Sequence, residues 1–303
     1  MTGLETTRLG LSTGVTLEVA LGGPRGGEPI VLLHGFPESH RTWRAIAPEL
    51  ARSHFVVAPD QRGFAGSDKP EGVEAYKADR IVEDLIALAD ALELQRFTLV
   101  GHDWGGAIAW LAALRHPERI DRLVIVNAPH PLVFQRSVIE DPAQRAGSQY
   151  IRAFRNHLME KGIEAMGLDT FFDKTFGGHV DLDAIPDEEK QAYLAEWRRE
   201  GALTGMLNWY RASEIVVPEP GEQASAPLWT KMPFPHVKMP TLVVWGLKDK
   251  ALLPVQLEGL HDLVDDLRLV PVPDAGHFLP WEKPEPLLAA IRDFIAETGA
   301  GRR

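Results

Sequence analysis

Short apolar runs alternate along this chain with segments of helical periodicity, and this alternation constrains the fold more than any other feature. Each run is rich in β-branched or aromatic residues, as expected for a strand that is covered on both faces. The runs are residues 30–33, 55–58, 97–100, 123–126, 242–245 and 267–270. The pattern predicts an α/β protein with a mostly parallel, doubly covered sheet.

Three segments between or after these runs have helical spacing. Residues 81–92 place apolar side chains three and four positions apart, which predicts a crossover helix between the second and third strands. A second helix is predicted from Gly105 to Arg115, because His116 and Pro117 are typical of a helix end. A third is predicted at residues 287–295.

The alternation stops after Pro131, and the pattern stays mostly helical to about Pro235. We therefore expect a helical cap at residues 132–236, inserted between two parts of the α/β core at residues 1–131 and 237–303. Residues 216–235 hold five of the chain's 23 prolines, so an ordered but irregular excursion is expected there.

The composition excludes several functional classes. The net charge is -11 and no run of Lys and Arg occurs, so nucleic acid is not an expected partner. The absence of cysteine excludes disulfides, thiolate nucleophiles and cysteine-bound zinc. No cofactor is expected, because the histidines lack metal-ligand spacing and the nucleotide-binding glycine motifs are missing. Without a signal-like start or a long apolar stretch, a cytoplasmic protein with no membrane partner is expected.

The run at residues 97–100 leads directly into Gly-His-Asp-Trp-Gly-Gly at 101–106 and then into a predicted helix. This spacing is typical of a strained strand-turn-helix elbow that presents a nucleophile at its centre, flanked by glycines that permit close packing. The central residue is Asp103. Its carboxylate, with a reference pKa of ~3.9, is ionised at neutral pH and can attack a saturated carbon, leaving an alkyl ester on the protein.

Breaking such an ester requires a base and an acid that orients it. His277 follows the last predicted strand and Asp249 follows the one before it, so the chain order of nucleophile, acid and histidine is that of the α/β-hydrolase triad. An acid could instead follow the strand at 123–126. Asn127 occupies that place and cannot carry the charge, so Asp249 is favoured, and a carboxylate from the cap stays an alternative.

Ester hydrolysis also creates an oxyanion on the carboxyl group of Asp103, which backbone N–H groups must stabilise. The residues expected to supply them are Trp104, next to the nucleophile, and Phe36, in the loop after the first strong strand. His102 and Trp104 flank Asp103, and a space-filling role is one interpretation of either side chain; the backbone of Trp104 is expected to matter more than its ring.

Five segments of the chain carry a resemblance to the soluble epoxide hydrolases, and the resemblance extends over nearly the whole chain. These are HGFPES at 34–39, DQRGFAGSD at 60–68, GHDWGG at 101–106, NAPHP at 127–131 and LNWYRA at 207–212. The resemblance implies an α/β-hydrolase fold with a cap and an aspartate that opens a small apolar or amphipathic epoxide to a vicinal diol, with water as the second substrate.

In that family two cap tyrosines hydrogen-bond the epoxide oxygen. Tyr210, in LNWYRA, matches one of these positions, and Tyr150 is the only tyrosine in the segment where the other should lie. A phenol with a reference pKa near ~10 stays protonated at neutral pH and can assist a departing alkoxide. Trp104, Phe154 and Trp209 are candidates to line the substrate pocket.

Three alternatives stay open, as does the oligomeric state. Haloalkane dehalogenation would use N–H donors for the halide, for which Trp104 and Trp209 are available, but Phe36 stands where some relatives have asparagine. Haloacetate dehalogenation would need arginines where Trp104 and Ala107 stand. A non-catalytic ligand-binding member of the fold would be expected to lack part of the triad.

Overall fold

Eight strands form one sheet in the computed structural model, which describes residues 3–299; residues 1, 2 and 300–303, which the predicted core includes, lie outside the described part. The strands are β1 (Glu5–Gly10), β2 (Thr16–Gly22), β3 (Pro29–Leu33), β4 (Phe55–Pro59), β5 (Phe97–His102), β6 (Ile120–Val126), β7 (Thr241–Gly246) and β8 (Leu267–Val272). Their order in the sheet is β1-β2-β4-β3-β5-β6-β7-β8.

The six strands from β3 to β8 run parallel, while β2 is antiparallel to both β1 and β4. All six predicted strands are therefore present, and the predicted fold class is confirmed. The antiparallel pair was not predicted. The side chains of β1 are mostly exposed at the sheet edge and carry no apolar pattern. In β2, however, Leu17 and Val19 alternate with less buried residues, which is a strand signal.

Helices cover both faces of the sheet. The three predicted helices are present at Ala78–Ala91, Trp104–Arg115 and Pro284–Gly299; the first two pack on one face of the sheet, and the third packs on the other face with Ala47–Leu50. No helix within residues 3–299 is long and apolar enough to cross a membrane. The helices are α1 (Ala47–Leu50), α2 (Ala78–Ala91), α3 (Trp104–Arg115), α4 (Pro131–Glu140), α5 (Pro142–Gly147), α6 (Gln149–Arg155), α7 (Met159–Met166), α8 (Leu168–Phe176), α9 (Asp187–Trp197), α10 (Ala202–Ala212), α11 (Leu279–Glu282) and α12 (Pro284–Gly299).

The seven helices α4 to α10 lie between β6 and β7, in the segment predicted to form the cap. Two buried indoles connect this segment to the loops at the end of the sheet. The Nε1 of Trp197 donates to the Pro37 carbonyl at 2.9 Å, and that of Trp209 donates to the Arg62 carbonyl at 3.0 Å. The irregular excursion at 216–235 contains one short 3-10 helix, Leu228–Lys231. The division into core and cap domains stays a prediction.

Candidate active site

Asp103 alone forms the turn between β5, which ends at His102, and α3, which begins at Trp104. Its backbone has φ 51° and ψ -120°, a conformation that costs a residue with a side chain about 1–3 kcal/mol. A Cβ added to Gly105 would lie 2.3 Å from the carbonyl oxygen of Leu33, so only glycine lets α3 pass so close to β3. This tight turn fixes Asp103 at the carboxyl end of a central strand.

The carboxylate of Asp103 has a partner on each oxygen. The Phe36 N–H donates to Oδ1 at 2.7 Å, and Nε2 of His277 lies 3.4 Å from Oδ2. The loop of Phe36 can approach because residue 35 is glycine, whose added Cβ would lie 2.5 Å from that of Asp103. The Trp104 N–H belongs to the first turn of α3, where amides have no partner within the helix.

His277 and Asp249 follow the carboxyl ends of β8 and β7, at the same edge of the sheet as Asp103. The Nδ1 of His277 lies 2.8 Å from Oδ2 of Asp249. The other oxygen of Asp249 accepts the N–H groups of Ala251 at 2.9 Å and Leu252 at 2.8 Å. The structure thus brings together the three residues that the sequence predicts as a triad, with His277 between two carboxylates.

The protonation states of these groups follow from their mutual charges. Burial alone would lower the pKa of His277, but the carboxylates of Asp249 and Asp103 outweigh burial and hold it well above its ordinary value. Burial alone would raise the pKa of Asp103 and of Asp249, but the interaction with His277 outweighs it and lowers both. The protonated form of His277 is therefore favoured by its position between two carboxylates.

Asn127 takes part in this arrangement, although the sequence presents it only as a residue that cannot replace the acid. Its Nδ2 donates to Oδ2 of Asp249 at 2.8 Å, and its Oδ1 accepts the Gly246 N–H at 2.9 Å. Its place directly after β6, beside β7 in the sheet, is the signal that could have revealed this contact. Asn127 connects two strand ends and orients the carboxylate that pairs with His277.

The side chain of His102 does more than fill space beside Asp103. Its Nε2 donates to the backbone oxygen of His277 at 2.8 Å, and its Nδ1 lies 2.9 Å from Oε2 of Glu38. Glu38 in turn accepts hydrogen bonds from Trp281 at 3.1 Å and Thr42 at 2.5 Å. This buried network holds the backbone of the catalytic candidate His277 from behind. Glu38 stands in the segment HGFPES but was not singled out by sequence reasoning.

Tyr150 on α6 and Tyr210 on α10 face Asp103 from the other side of a cavity that all three residues line. The two phenol rings lie 6.0 Å apart, and the ring of Tyr210 packs edge-on against Trp104 and Phe36. Burial, followed by the negative charge of Asp103, raises the pKa of both tyrosines well above the ordinary value. Both phenols are therefore protonated hydrogen-bond donors.

The cavity has a volume of about 640 Å³, which is typical of a small-molecule site. The rings of Trp104 and Trp209 line it as the sequence predicts, so Trp104 contributes its ring as well as its backbone. The sequence also suggests Phe154 as a pocket residue, but Phe154 is not among the residues that line the cavity. Its ring packs behind the tyrosine, 4.9 Å from Tyr210 and 5.0 Å from Phe36.

One group within residues 3–299 brings three possible metal-ligand atoms within 4.8 Å of one another: Glu18, His40 and Asp60. The sequence spacing gives no sign of it. The carboxylate of Asp60 already accepts hydrogen bonds from the backbone and Nδ1 of His40 and from the Gly66 N–H. These bonds account for the group as a connection between loops, and it does not line the cavity.

Comparison with known proteins places this geometry in context. The model of the α/β-hydrolase-fold family matches residues 28–284. AB hydrolase superfamily protein YfhM of Bacillus subtilis is 34% identical over 94% of this chain and 96% of its own length. Epoxide hydrolase 3 of Xenopus tropicalis is 32% identical over 94% of this chain and 76% of its own length. A solved structure of a novel epoxide hydrolase from metagenomes of hot environments is 42% identical, with a TM-score of 0.88 and coverage of 97% of this chain and 99% of that one.

Proposed function

Because the chain belongs to the α/β-hydrolase family, and within it to the epoxide hydrolases, we propose that it opens an epoxide to a vicinal diol through an alkyl ester on Asp103. The resemblance noted in the sequence is confirmed by this membership, and the protein is a hydrolase. One observation carries the proposed mechanism: Asp103 lies between His277 on one side and the phenols of Tyr150 and Tyr210 across the cavity.

In the first step, Oδ2 of Asp103 attacks an epoxide carbon while Oδ1 keeps its hydrogen bond to Phe36. The new bond is a carbon–oxygen ester bond, and the bond that breaks joins the same carbon to the epoxide oxygen. That oxygen takes a proton from Tyr150 or Tyr210 and becomes the first hydroxyl of the product. The resulting tyrosinate then receives the proton of the His277 imidazolium, which leaves His277 neutral.

In the second step, water attacks the carboxyl carbon of Asp103. Neutral His277 takes one proton of the water at Nε2, and Asp249 stabilises the imidazolium that forms. The oxyanion on Oδ1 is stabilised by the Phe36 N–H and, in our proposal, by that of Trp104. The ester then breaks, Oδ2 leaves as the second hydroxyl of the diol, and the remaining proton of the water completes it.

We further propose that residues 132–236 form a cap domain over a core made of residues 1–131 and 237–303. The support is that both tyrosines come from helices between β6 and β7, whereas Asp103, Asp249 and His277 all follow strands of the sheet. In this arrangement the cap provides the donors for the leaving oxygen, and the core provides the nucleophile and the base.

The alternative functions have less support. A halide site would use two indole N–H groups, but Nε1 of Trp209 donates to the Arg62 backbone and is not available. Haloacetate would need a cation near the nucleophile, where the cavity presents Trp104 and Ala107. Ligand binding alone would not require the contacts that join Asp103, His277 and Asp249.

The test is to trap the ester. His277→Gln should still be alkylated by styrene oxide but should hydrolyse the ester about 10²–10⁴-fold more slowly. Mass spectrometry should then find the mass of one substrate molecule added to the tryptic peptide that contains Asp103. His261→Gln, the same change at an exposed histidine, is the matched control and should turn over without an adduct.

Replacing Asp103 by Asn in the His277→Gln background should abolish the adduct. If a broad panel of epoxides gives neither adduct nor diol while haloalkanes release halide, the dehalogenase alternative replaces our proposal.

A further inference from the structure

The cavity extends from Asp103 along one side of α3 to the protein surface. The helix residues that line it recur at three- and four-residue steps and so form a single stripe. They are Trp104, Ala107, Ile108, Leu111, Leu114 and Arg115. Because a helix rises 1.5 Å per residue, the stripe is about 16 Å long. Most of these apolar side chains are only partly buried, because they face the cavity instead of packing against protein.

The walls of this channel differ sharply between its inner and outer parts. Opposite α3, the irregular segment after α10 contributes the apolar side chains of Ile215, Trp229 and Phe234. Apart from Asp103, the described lining residues that carry charge are all exposed, which places them at the outer end. They are Lys77, Asp79, Arg115 and Glu214. The channel is thus an apolar passage with a charged mouth.

The two cations of the mouth already have carboxylate partners. Arg115 forms an ion pair with Asp79, and Nζ of Lys77 lies 2.6 Å from Oε2 of Glu74. Glu214 is a third carboxylate, so the mouth and its partners carry one negative charge in excess. An anionic group at the mouth would be repelled by Glu214, and it could bind Lys77 or Arg115 only by displacing the carboxylate already paired with that cation.

We propose that the channel binds a neutral epoxide with one extended apolar arm lying along α3, and that Glu214 selects against arms that end in a carboxylate. This inference rests on the proposed function, because it assigns a substrate class to that same site. A carboxylate at the end of a longer arm would reach the mouth and be repelled by Glu214. A carboxylate on a shorter arm would be buried among apolar side chains, which costs more free energy than the repulsion by Glu214.

The experiment compares three substrates: a long-chain terminal epoxide with a methyl ester at its far end, the free acid of the same epoxide, and propylene oxide. At low salt, kcat/KM should be about fivefold higher for the ester than for the acid, as expected for one close like charge in water. High salt should reduce this ratio, because exposed charges are screened.

Glu214→Lys should lower the ester-to-acid ratio to about one or below it. Glu164→Lys makes the same charge change at an exposed cap position away from the channel, and it should keep the wild-type ratio. In a second variant, Leu111→Trp, the channel is blocked midway. The ratio of kcat/KM for the long ester to that for propylene oxide should fall about tenfold or more. Leu158→Trp, at an exposed cap site, is the control for this variant.

The inference would be overturned if the ester and the acid were hydrolysed equally fast and Glu214→Lys did not change their ratio. Hydrolysis of propylene oxide in the same experiment would show that the proposed function still holds. An unchanged long-to-short ratio in Leu111→Trp would also overturn the inference. If the enzyme hydrolyses none of the three epoxides but hydrolyses styrene oxide, the inference fails and the proposed function survives. If styrene oxide and the broad panel of epoxides also give neither adduct nor diol, both fail.

Discussion

The floor and the roof of the cavity are built in different ways. The floor consists of Asp103, which lines the cavity, and of its partners His277 and Asp249. All three follow parallel strands and are oriented by hydrogen bonds, several of them from backbone amides. In the roof, Tyr150 and Tyr210 project from helices and are positioned by ring packing. The floor carries ions and the roof carries neutral donors.

Because the two regions are built differently, they can control different halves of a reaction. In our proposal, the ionised floor makes and breaks an ester on Asp103. In the same proposal the roof supplies a proton to the leaving oxygen, and it stays protonated at neutral pH because the pKa of each tyrosine is raised. Variants of the floor should therefore slow ester hydrolysis, and variants of the roof should slow ester formation.

The largest effect is expected from Asp249→Asn. The amide removes the charge that stabilises the imidazolium of His277 and allows the wrong tautomer, a change that costs about 10⁴-fold in a Ser-His-Asp triad. Single-turnover kinetics should show a loss of that size in ester hydrolysis and a much smaller loss in alkylation. Asp265→Asn, at an exposed aspartate paired with Lys238, is the control. Equal losses in both steps would remove the distinction between floor and roof.

A loss of about 10²-fold is expected for Tyr150→Phe or Tyr210→Phe, the scale measured when one donor to a developing oxyanion is removed. The loss should fall on alkylation, because the phenol assists the departing epoxide oxygen. Tyr193→Phe is a matched control in the same helical segment, since the hydroxyl of Tyr193 is buried and has no hydrogen-bond partner among residues 3–299. Unchanged alkylation in both variants would exclude the roof from the chemistry.

The pH dependence should also separate the two regions. Esterification removes the charge of Asp103, one of the groups that raise the pKa of His277, so this pKa should be lower in the alkyl-enzyme than in the free enzyme. Because the base must be neutral, ester hydrolysis should fall about tenfold for each pH unit below the alkyl-enzyme pKa. Alkylation should stay flat there, since the pKa of Asp103 is lowered. Rapid-quench measurements across pH test this; a hydrolysis rate that rises as pH falls would contradict it.

The smallest effect is expected from Asn127→Ala. Asp249 would lose one hydrogen bond but keep its bonds to Ala251 and Leu252. A loss of about 1 kcal/mol, or about fivefold in ester hydrolysis, follows from a typical hydrogen bond. Combined with Asp249→Asn, the change should have no additional effect. Full additivity in this double-mutant cycle would show that Asn127 acts elsewhere.

The sequence predicts the floor well because local rules govern it. Asp103 and Asp249 follow the buried strands β5 and β7, and His277 follows the half-buried edge strand β8, each within a few residues. Parallel strands end at one edge of the sheet. The fold was predictable for the same reason, apart from β1 and β2. The edge strand β1 has mostly exposed side chains, so no apolar pattern marks it.

Contacts between distant segments were harder to predict. The bond from Asn127 to Asp249 and the network of Glu38 and His102 connect residues more than sixty positions apart, and neither spacing nor periodicity reports such contacts. The position of Phe154 was also hard to predict, because tertiary packing decides which side of the short helix α6 faces the cavity. The mouth around Glu214 was not predicted, since it forms only where α3 and the segment after α10 meet.

The central claim is that the carboxylate of Asp103 forms the ester and that water then attacks its carboxyl carbon. The most direct test is a single turnover, with enzyme in excess over epoxide, in water labelled with the heavy isotope of oxygen. We predict an unlabelled diol, because its second oxygen comes from Asp103, and the label in the tryptic peptide that contains Asp103. A labelled diol with an unlabelled peptide would show that water attacks the epoxide directly and would contradict the account.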